Sequence, residues 1–308
     1  MNPDEKYLKK IENINFQPIF ILGFHRSGTT ILYKMLNATK CFNYLSAYHV
    51  IYYDCLLDNF INDKETVKKN EINKFLKDKG EIKRGIDLHD ISADFPEEYR
   101  FIFSNKSYNF KIDNQNLSLF NQICKKIQFI SDNNKPLLLK NPYDYPNFLF
   151  IKKVLPNSKF IFIHRDPVNV LNSNMSSLLT LFEKKNYYTT LIDKSYEKML
   201  STPISFFIYK LLFSLTRLPR SVLEVGSLKN ELDFFKKNIN SLNQEDYINI
   251  EYENMCRQSN ETIKGILKFL NLKSENDIDF SNFIQQRKTD LLKEIDIIRP
   301  YITKKLSK

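Results

Sequence analysis

Apolar residues along the chain form short continuous runs that alternate with segments of helical periodicity. Residues 18–23 (PIFILG), 136–140 (PLLLK) and 159–165 (KFIFIHR) are runs of strand length with few or no polar interruptions. Such runs are typical of parallel strands that are buried on both faces. A fourth segment, YINIEYENM at 247–255, is also strand-like. We therefore predict four strands, which pack into one mostly parallel sheet.

Between these runs, apolar residues recur at spacings of three and four, which predicts helices. In ILYKMLNAT they stand at 31, 32, 35 and 36, directly after the first strand and its loop. Two helix starts carry an Asp followed by a first-turn Pro, a typical N-terminal signal: Asp94 with Pro96, and Asp166 with Pro167. Further helices are predicted at about 116–131, 146–155, 167–179 and 261–272. This alternation of strands and helices favours an α/β fold.

The chain shows no internal repeat and no Gly/Ser-rich linker, so a single domain over residues 1–308 is the simplest organisation. Residues 60–84 are strongly polar and are predicted to be an exposed insertion. Residues 202–220 (TPISFFIYKLLFSLTRLPR) are the most apolar stretch, interrupted by Lys210. They are predicted to form a buried helix, and the alternative is a membrane-facing or acceptor-binding flap. No uncharged apolar run is long enough to predict a transmembrane helix.

Composition excludes some classes of protein. With 42% hydrophobic and 14% aromatic residues the chain is not disordered, and with six Gly it is not collagen-like. The net charge of +10 is compatible with nucleic acid, an anionic membrane, an anionic substrate, or a generally Lys-rich composition. Charge alone does not choose among these.

The four cysteines, Cys41, Cys55, Cys124 and Cys256, are scattered and form no paired motif with each other or with His. We therefore expect neither a zinc site nor a disulfide framework, and this usage suits a reducing cytosol. The first residues are charged and lack the apolar core of a secretory signal. A cytoplasmic location is expected.

The most informative segment is GFHRSGTT at 23–30, between the first strand and its helix. Gly23 and Gly28 are separated by four residues, the spacing of a loop whose backbone N–H groups hold phosphate. A nucleoside triphosphatase would carry Lys and then Ser or Thr after the second Gly, whereas Thr29 and Thr30 stand there. The cation of the loop is Arg26. The segment therefore predicts an anion-binding loop without the residues that usually bind magnesium in a P-loop.

A second segment has the same organisation. In KFIFIHRDPVNVLNSNMSS at 159–177, Arg165 stands at the end of a strand and Ser173 lies eight residues later in the following helix. The carboxyl edge of a parallel sheet is where such folds bind ligands. Arg165 and Ser173 could therefore share one phosphate.

Together, GFHRSGTT, LLLKNP at 137–142 and FIFIHRDPVNVLNS at 160–173 resemble the PAPS-dependent sulfotransferases, in their divergent bacterial and Golgi-like branch with R-S-G-T-T. DFPEEYRFIF and INIEYENMCRQSNETIKGILKFLNL are similar to two further segments of that branch, so the resemblance spans about residues 18–272. It implies a P-loop-like three-layer α/β/α fold. It also implies transfer of the sulfonate group from PAPS to a hydroxyl of an acceptor, without a metal.

The resemblance further implies roles for individual residues. The 5′-phosphosulfate would be held by Arg26, Ser27, Gly28, Thr29 and Thr30, with Arg26 on the sulfonate. Arg165 and Ser173 would bind the 3′-phosphate, Tyr252 would pack on the adenine, and Lys140 would approach the bridging oxygen. The glycine-rich 3′-phosphate loop of cytosolic members is missing, and Arg287 or Lys288 would be its substitute.

The acceptor hydroxyl requires a general base, and His is the commonest choice because its pKa lies near neutrality. His49 stands where this branch commonly has its catalytic Glu and is the first candidate. His89 and Asp144 follow it, while His25 is expected to shape the loop and His164 to be packed in the core. The insertions at about 52–90 and 178–230 are expected to line the acceptor site, for a carbohydrate, lipid or small molecule. A kinase-like phosphotransferase and a non-catalytic binder of anionic ligands or nucleic acid are the alternatives, although no nucleic-acid partner is expected.

Overall fold

The core of the protein is a parallel β-sheet with helices on both faces. The computed structural model describes residues 2–84, 89–183, 185–200, 202–274, 276–284 and 290–306. Within these ranges the strands are β1 (Pro18–Leu22), β2 (Asn43–Tyr44), β3 (Leu137–Lys140), β4 (Lys159–His164) and β5 (Tyr247–Glu251). Their order in the sheet is β2-β3-β1-β4-β5, with every pair parallel. This order places β1 at the centre, between β3 and β4.

Side chains of the strands alternate between two apolar layers, as the pleat of a strand requires. Phe20, Leu139 and Phe162 face one core cluster, and Ile21 and Leu138 face the other. Both faces are covered by helices, which explains why the strands are continuous apolar runs in the sequence. The architecture is the expected three-layer α/β/α fold.

The helices that surround the sheet are short, except for two. They are α1 (Thr29–Ala38), α2 (Ala47–Ile51), α3 (Leu56–Ile61), α4 (Glu65–Asp78), α5 (Arg100–Asn105), α6 (Leu117–Ile130), α7 (Phe148–Val154), α8 (Pro167–Glu183), α9 (Tyr187–Ile192), α10 (Lys194–Met199), α11 (Pro203–Leu215), α12 (Arg217–Asn238), α13 (Tyr252–Arg257), α14 (Ser259–Phe269) and α15 (Lys293–Leu306). Short 3₁₀ helices are formed by Glu5–Ile11, Tyr53–Cys55, Pro142–Asn147, Ile239–Ser241, Gln244–Asp246 and Phe280–Asn282.

The three strands predicted from continuous apolar runs are confirmed. The strand predicted over 247–255 is only half correct, because it ends at Glu251 and α13 begins at Tyr252. At the start of α8 the Asp166 carboxylate accepts a hydrogen bond from the Asn169 N–H at 2.9 Å, as a capping residue should.

The helix predicted to begin at Asp94 is wrong. Helix α5 begins at Arg100, six residues later. The backbone of residues 95–97 instead pairs with the segment before α2. Pro96 forms an isolated β-bridge with Ser46, and the Glu97 N–H donates a hydrogen bond to the Leu45 carbonyl at 2.9 Å. Tertiary pairing therefore outweighs the local capping signal.

A separate group of helices lies outside the main core. Helices α8, α11, α12 and α15 enclose a small apolar cluster that includes Met175, Phe213, Val225 and Ile298. Phe213 is the only fully buried residue of α11. The buried helix predicted over residues 202–220 is therefore wrong, because most of this apolar segment faces solvent. Nowhere in the described residues is a helix both long enough and apolar enough to cross a membrane.

Candidate active site

The carboxyl ends of four strands meet at one edge of the sheet. Strand β1 ends in the glycine loop, β3 ends at Lys140, and β4 and β5 are followed by Arg165 and Tyr252. The parallel registers, in which Ile21 aligns with Lys140 and His164 aligns with Glu251, keep these ends level. Ligands of open parallel sheets bind at this edge. The sequence motifs are thus gathered in one place by the topology of the sheet.

The loop between β1 and α1 depends on two glycines. Gly28 has a φ of +100°, and a Cβ there would lie 2.3 Å from the Tyr252 ring. A Cβ on Gly23 would lie 2.5 Å from the Ile163 carbonyl oxygen. Arg26 also has a positive φ, of 70°, an uncommon conformation for a residue with a side chain. The loop is therefore held in a tight path against β4 and α13, with the N-terminus of α1 behind it.

The two anion-binding motifs, far apart in sequence, touch in the structure. The Arg26 Nε donates a hydrogen bond to the Ser173 Oγ at 3.1 Å. The Arg165 Nη1 donates to the Arg26 carbonyl oxygen at 2.8 Å, and its guanidinium lies 4.4 Å from the centre of the Tyr252 ring. One cluster therefore unites Arg26, Arg165, Ser173, Tyr252 and Gly28.

Several buried polar atoms of this cluster and of the adjacent glycine loop have no hydrogen-bond partner among the described residues. They are the Ser27 Oγ, the Arg165 Nε and the His25 Nε2. Buried donors and acceptors without a partner are rare and destabilise the folded chain, so such atoms require an explanation. An anionic ligand with several oxygens at the loop would supply partners for the Ser27 and Arg165 groups.

Lys140 is fully buried beside the loop and is held by two oxygens. Its Nζ donates to the Thr30 Oγ1 at 2.9 Å and forms an ion pair with the Glu98 Oε1 at 3.1 Å. The other carboxylate oxygen of Glu98 accepts from the Arg100 Nε at 2.6 Å. Burial alone would raise the pKa of Glu98, but the charges of Lys140 and Arg100 outweigh it and hold this pKa far below its usual range.

His25 lies at the edge of the same group. Its ring packs edge-on against Tyr143, with 4.6 Å between the ring centres. Burial lowers the pKa of His25 to about 4, and the neighbouring Arg and Lys charges act in the same direction. The residue is therefore neutral at physiological pH, and its role in shaping the loop stays a prediction.

His49, predicted as the general base, lies at the start of α2. Its Nδ1 accepts a hydrogen bond from the Ser46 N–H at 3.0 Å, and burial lowers its pKa to about 3. It lines a cleft of about 140 Å³ together with Lys69 and Asp94. None of the residues of the glycine loop lines that cleft. The structure thus gives His49 a capping contact, and its catalytic role stays a prediction.

The other base candidates are held in structural contacts. Asp144 is buried and accepts hydrogen bonds from the Tyr99 hydroxyl, the Ile112 N–H and two Asn side chains. Burial raises its pKa to about 6 despite these bonds. His164 shares a 3.0 Å hydrogen bond with the Asn249 side chain, and burial lowers its pKa. The carbonyl of His89 accepts from the Arg84 N–H. Arg287 and Lys288 lie outside the described residues.

Sequence reasoning missed the roles of two charged residues. Glu98 and Arg100 belong to the PEEYR segment, which is predicted from sequence as a helix start and as part of the family resemblance, without a role for either residue. The sequence signal was the presence of two adjacent carboxylates and an Arg beside a Pro, but nothing in it shows that Lys140 is their partner. That contact joins residues 42 positions apart, and only the sheet brings them together.

Comparison with known proteins identifies the family. The model of the Sulfotransferase family matches residues 18–276, close to the range over which the motifs resemble this family. The chain belongs to the sulfotransferase family. A search of curated protein sequences gives no significant match. Solved structures of bacterial sulfotransferases resemble this chain in fold.

Sulfotransferase STF1 from Mycobacterium tuberculosis H37Rv is 14% identical, with a TM-score of 0.59, over 88% of this chain and 72% of that one. Sulfotransferase STF9 from Mycobacterium avium is 15% identical, with a TM-score of 0.58, over 98% of this chain and 71% of that one. At this identity the likeness supports the fold. The enzyme class follows from the family match, which replaces the kinase-like and non-catalytic alternatives.

Proposed function

We propose that this sulfotransferase moves the sulfonate group of PAPS to a hydroxyl group of an acceptor. The observation that carries the proposal is the cluster in which Arg26 of the glycine loop contacts Ser173 and is itself contacted by Arg165. Two cationic motifs 139 residues apart meet through these hydrogen bonds. An extended nucleotide with phosphate groups at both its 3′ and 5′ positions needs two such sites side by side.

The residues present fit this nucleotide. The 5′-phosphosulfate would be bound by the backbone N–H groups of residues 27–30, the Ser27 hydroxyl and the Arg26 guanidinium, at the N-terminus of α1. Arg165 and Ser173 would bind the 3′-phosphate, and the Tyr252 ring would contact the adenine. The buried Ser27 Oγ and Arg165 Nε, which have no partner within the described part of the chain, would each gain one.

The transfer forms a bond between the acceptor oxygen and sulfur and breaks the bond from sulfur to the bridging phosphate oxygen. PAPS supplies the activated sulfonate, and its leaving group is PAP. Negative charge develops on the bridging oxygen, and the Lys140 ammonium would stabilise it together with Arg26. Preorganised charges of this kind usually make the largest contribution to catalysis. Glu98 and Thr30 hold Lys140 in position, so little reorganisation is needed.

The acceptor proton leaves to a general base, and we retain His49 as the proposed residue. In the neutral imidazole, Nδ1 accepts the hydrogen bond from the Ser46 N–H, so the ring proton is on Nε2. His49 would therefore accept a proton only after the contact with Ser46 is released. A His49→Ala variant that keeps near-wild-type turnover would exclude this role.

The acceptor site is proposed to be lined by the segments at about 52–90 and 178–230, and the acceptor to be a carbohydrate, lipid or small molecule. In support, the two segments contact each other near Lys140: the Glu81 carboxylate accepts from the Tyr187 and Tyr188 N–H groups at 2.7 Å each, and the Tyr188 hydroxyl donates to the Glu97 Oε1 at 2.7 Å. Glu97 directly precedes Glu98, the ion-pair partner of Lys140. The four free cysteines support the proposal of a cytoplasmic, reducing location.

The experiment is a transfer assay with sulfur-radiolabelled PAPS and a panel of hydroxyl acceptors. The expected result is label in at least one acceptor, with loss of transfer in Lys140→Met while PAP still binds. Transfer from PAPS that is unaffected by Lys140→Met would contradict the proposed role of Lys140. Phosphate transfer from ATP and Mg²⁺ in its place would contradict the proposed reaction.

A further inference from the structure

Helix α11 and the start of α12 present an unusual apolar surface. Side chains at 204, 207, 211 and 215 recur every three or four residues and so form one stripe along α11. Ile204 is 73% exposed, Phe207 64% and Leu215 71%, and at the start of α12 Leu223 is 75% exposed. Single exposed apolar residues are ordinary, whereas a continuous patch marks an interaction site. We call residues 203–223 the apolar hairpin.

The inner side of the apolar hairpin packs against the rest of the protein. Phe213 is buried in the cluster shared with α8, α12 and α15, which fixes the orientation of α11. The exposed stripe therefore cannot turn inward without removing Phe213 from that cluster. It faces solvent in the folded chain and has no partner of its own among the described residues.

The charge pattern of the hairpin identifies its partner. Between Thr202 and Leu223 the sequence contains no Asp or Glu but carries Lys210, Arg217 and Arg220. Arg217 and Arg220 lie near the carboxylates of Glu294 and Glu224 at 3.6 Å, whereas Lys210 is exposed and makes no ion pair with any described residue. Apolar side chains flanked by cations with long stems suit an anionic lipid surface.

A second copy of the chain fits this pattern less well. A two-fold interface brings the same patch together on both subunits, so Lys210 of one hairpin, which makes no ion pair with a described residue, would share the interface with Lys210 of the other, and the segment holds no acid to pair them. An anionic bilayer offers the opposite charge over the whole patch. Helix α11 has 13 residues and is about 20 Å long, too short to cross a hydrocarbon core of about 30 Å.

We propose that the apolar hairpin docks the enzyme on anionic membrane surfaces, with α11 lying in the plane of the interface. The exposed stripe enters the boundary between headgroups and acyl chains, and Lys210 and Arg220 contact the headgroups. This inference does not depend on the sulfonate-transfer reaction. It rests only on the exposure and the charge of this segment.

Cosedimentation of the full chain with lipid vesicles tests the proposal. Binding is expected to equimolar phosphatidylglycerol and phosphatidylcholine, and to be weaker with phosphatidylcholine alone. The triple variant Phe207→Ser, Leu211→Ser, Leu215→Ser should lose at least about a hundredfold in partitioning, because three large apolar side chains no longer enter the lipid. Replacing Lys210 and Arg220 with Gln should cost about fivefold for each charge on anionic vesicles only.

A matched control carries Val67→Ser and Ile82→Ser, two exposed apolar residues outside the hairpin, and should bind vesicles like the wild type. Because their side chains face solvent, unchanged circular dichroism and thermal unfolding are expected for the triple variant, for Lys210→Gln and for the control. Arg220→Gln also removes contacts with Glu224 and the Phe213 ring, so its thermal unfolding is measured separately. Equal binding by the triple variant, or no binding of the wild type to anionic vesicles, would overturn the proposal. A wild-type dimer in light scattering that becomes a monomer in the triple variant would also overturn it, in favour of a second copy.

Discussion

Replacing Gly28 with Ala tests how closely Tyr252 approaches the anion loop. The substitution adds one carbon, which would lie 2.3 Å from the Tyr252 Cδ2 and 2.6 Å from its Cε2. Because carbon atoms pack at about 3.5–4.0 Å, the ring must move by more than about 1 Å. Such overpacking costs about 1–3 kcal/mol. The φ of +100° adds about 1 kcal/mol of backbone strain for any residue with a Cβ.

The expected loss in the free energy of unfolding is therefore about 2–4 kcal/mol, measured by urea denaturation. Gly80→Ala is the matched control, since Gly80 has a φ of +68° but nothing within 4 Å of its added Cβ. It should lose only the strain, about 1 kcal/mol. The difference between the two variants isolates the contact with Tyr252.

A double-mutant cycle with Tyr252→Ala attributes the effect to the ring. With the ring removed, Gly28→Ala should cost no more than Gly80→Ala, so the coupling between the two sites should be about 1–3 kcal/mol. PAP affinity should fall in Gly28→Ala, because the displaced loop misaligns its N–H groups, and should stay unchanged in Gly80→Ala. If Gly28→Ala is no more destabilising than Gly80→Ala, or if the cycle is additive, the packing of Tyr252 on the loop is refuted.

Three further predictions concern charged and titratable groups. Burial raises the pKa of Glu231 from 4.5 to about 7, so its contribution to stability is complete below pH 4.5 and is lost as the pH rises through 7. Glu231→Gln should therefore become more stable than the wild type by up to about 3 kcal/mol above pH 7, and parallel pH profiles of urea unfolding would contradict this. Lys140→Met should lower kcat by about 10²–10³ with a smaller change in PAP affinity, and Glu98→Gln should lower kcat by less. Steady-state kinetics measure kcat and calorimetry measures PAP affinity; a change in PAP affinity alone would show that Lys140 acts in binding. For His49→Ala, turnover with an established acceptor should fall by about 10²–10⁴ if it is the general base, and an unchanged pH–rate profile would assign the proton to another group.

The parts of the fold that could be predicted from the sequence are those in which local pattern and tertiary environment agree. Strands β1, β3 and β4 are buried on both faces, so their apolar runs are continuous and easily recognised. Strand β2 has two residues and leaves no pattern to detect. The helix start at Asp94 failed because Pro96 pairs with Ser46, a contact between segments 50 residues apart.

The same distinction applies to the site. Arg26, Lys140 and Arg165 could be placed from sequence because each lies at the end of a strand or in the loop after it, and strand ends of a parallel sheet share one edge. The ion pair of Lys140 with Glu98 could not be predicted, since it depends on how residues 95–99 cross that edge. Nor does the apolar character of 202–220 distinguish a buried helix from an exposed one, because both burial states use the same residues.

The binding of PAP to the purified chain tests the central claim most directly. Calorimetry and thermal shift should show that PAP binds and raises the unfolding temperature, that adenosine 5′-phosphate binds more weakly without its 3′-phosphate, and that Arg165→Gln removes this difference. ATP with Mg²⁺ should produce a smaller shift than PAP. Stabilisation by ATP and Mg²⁺ but not by PAP would contradict the assignment of the loop and of Arg165.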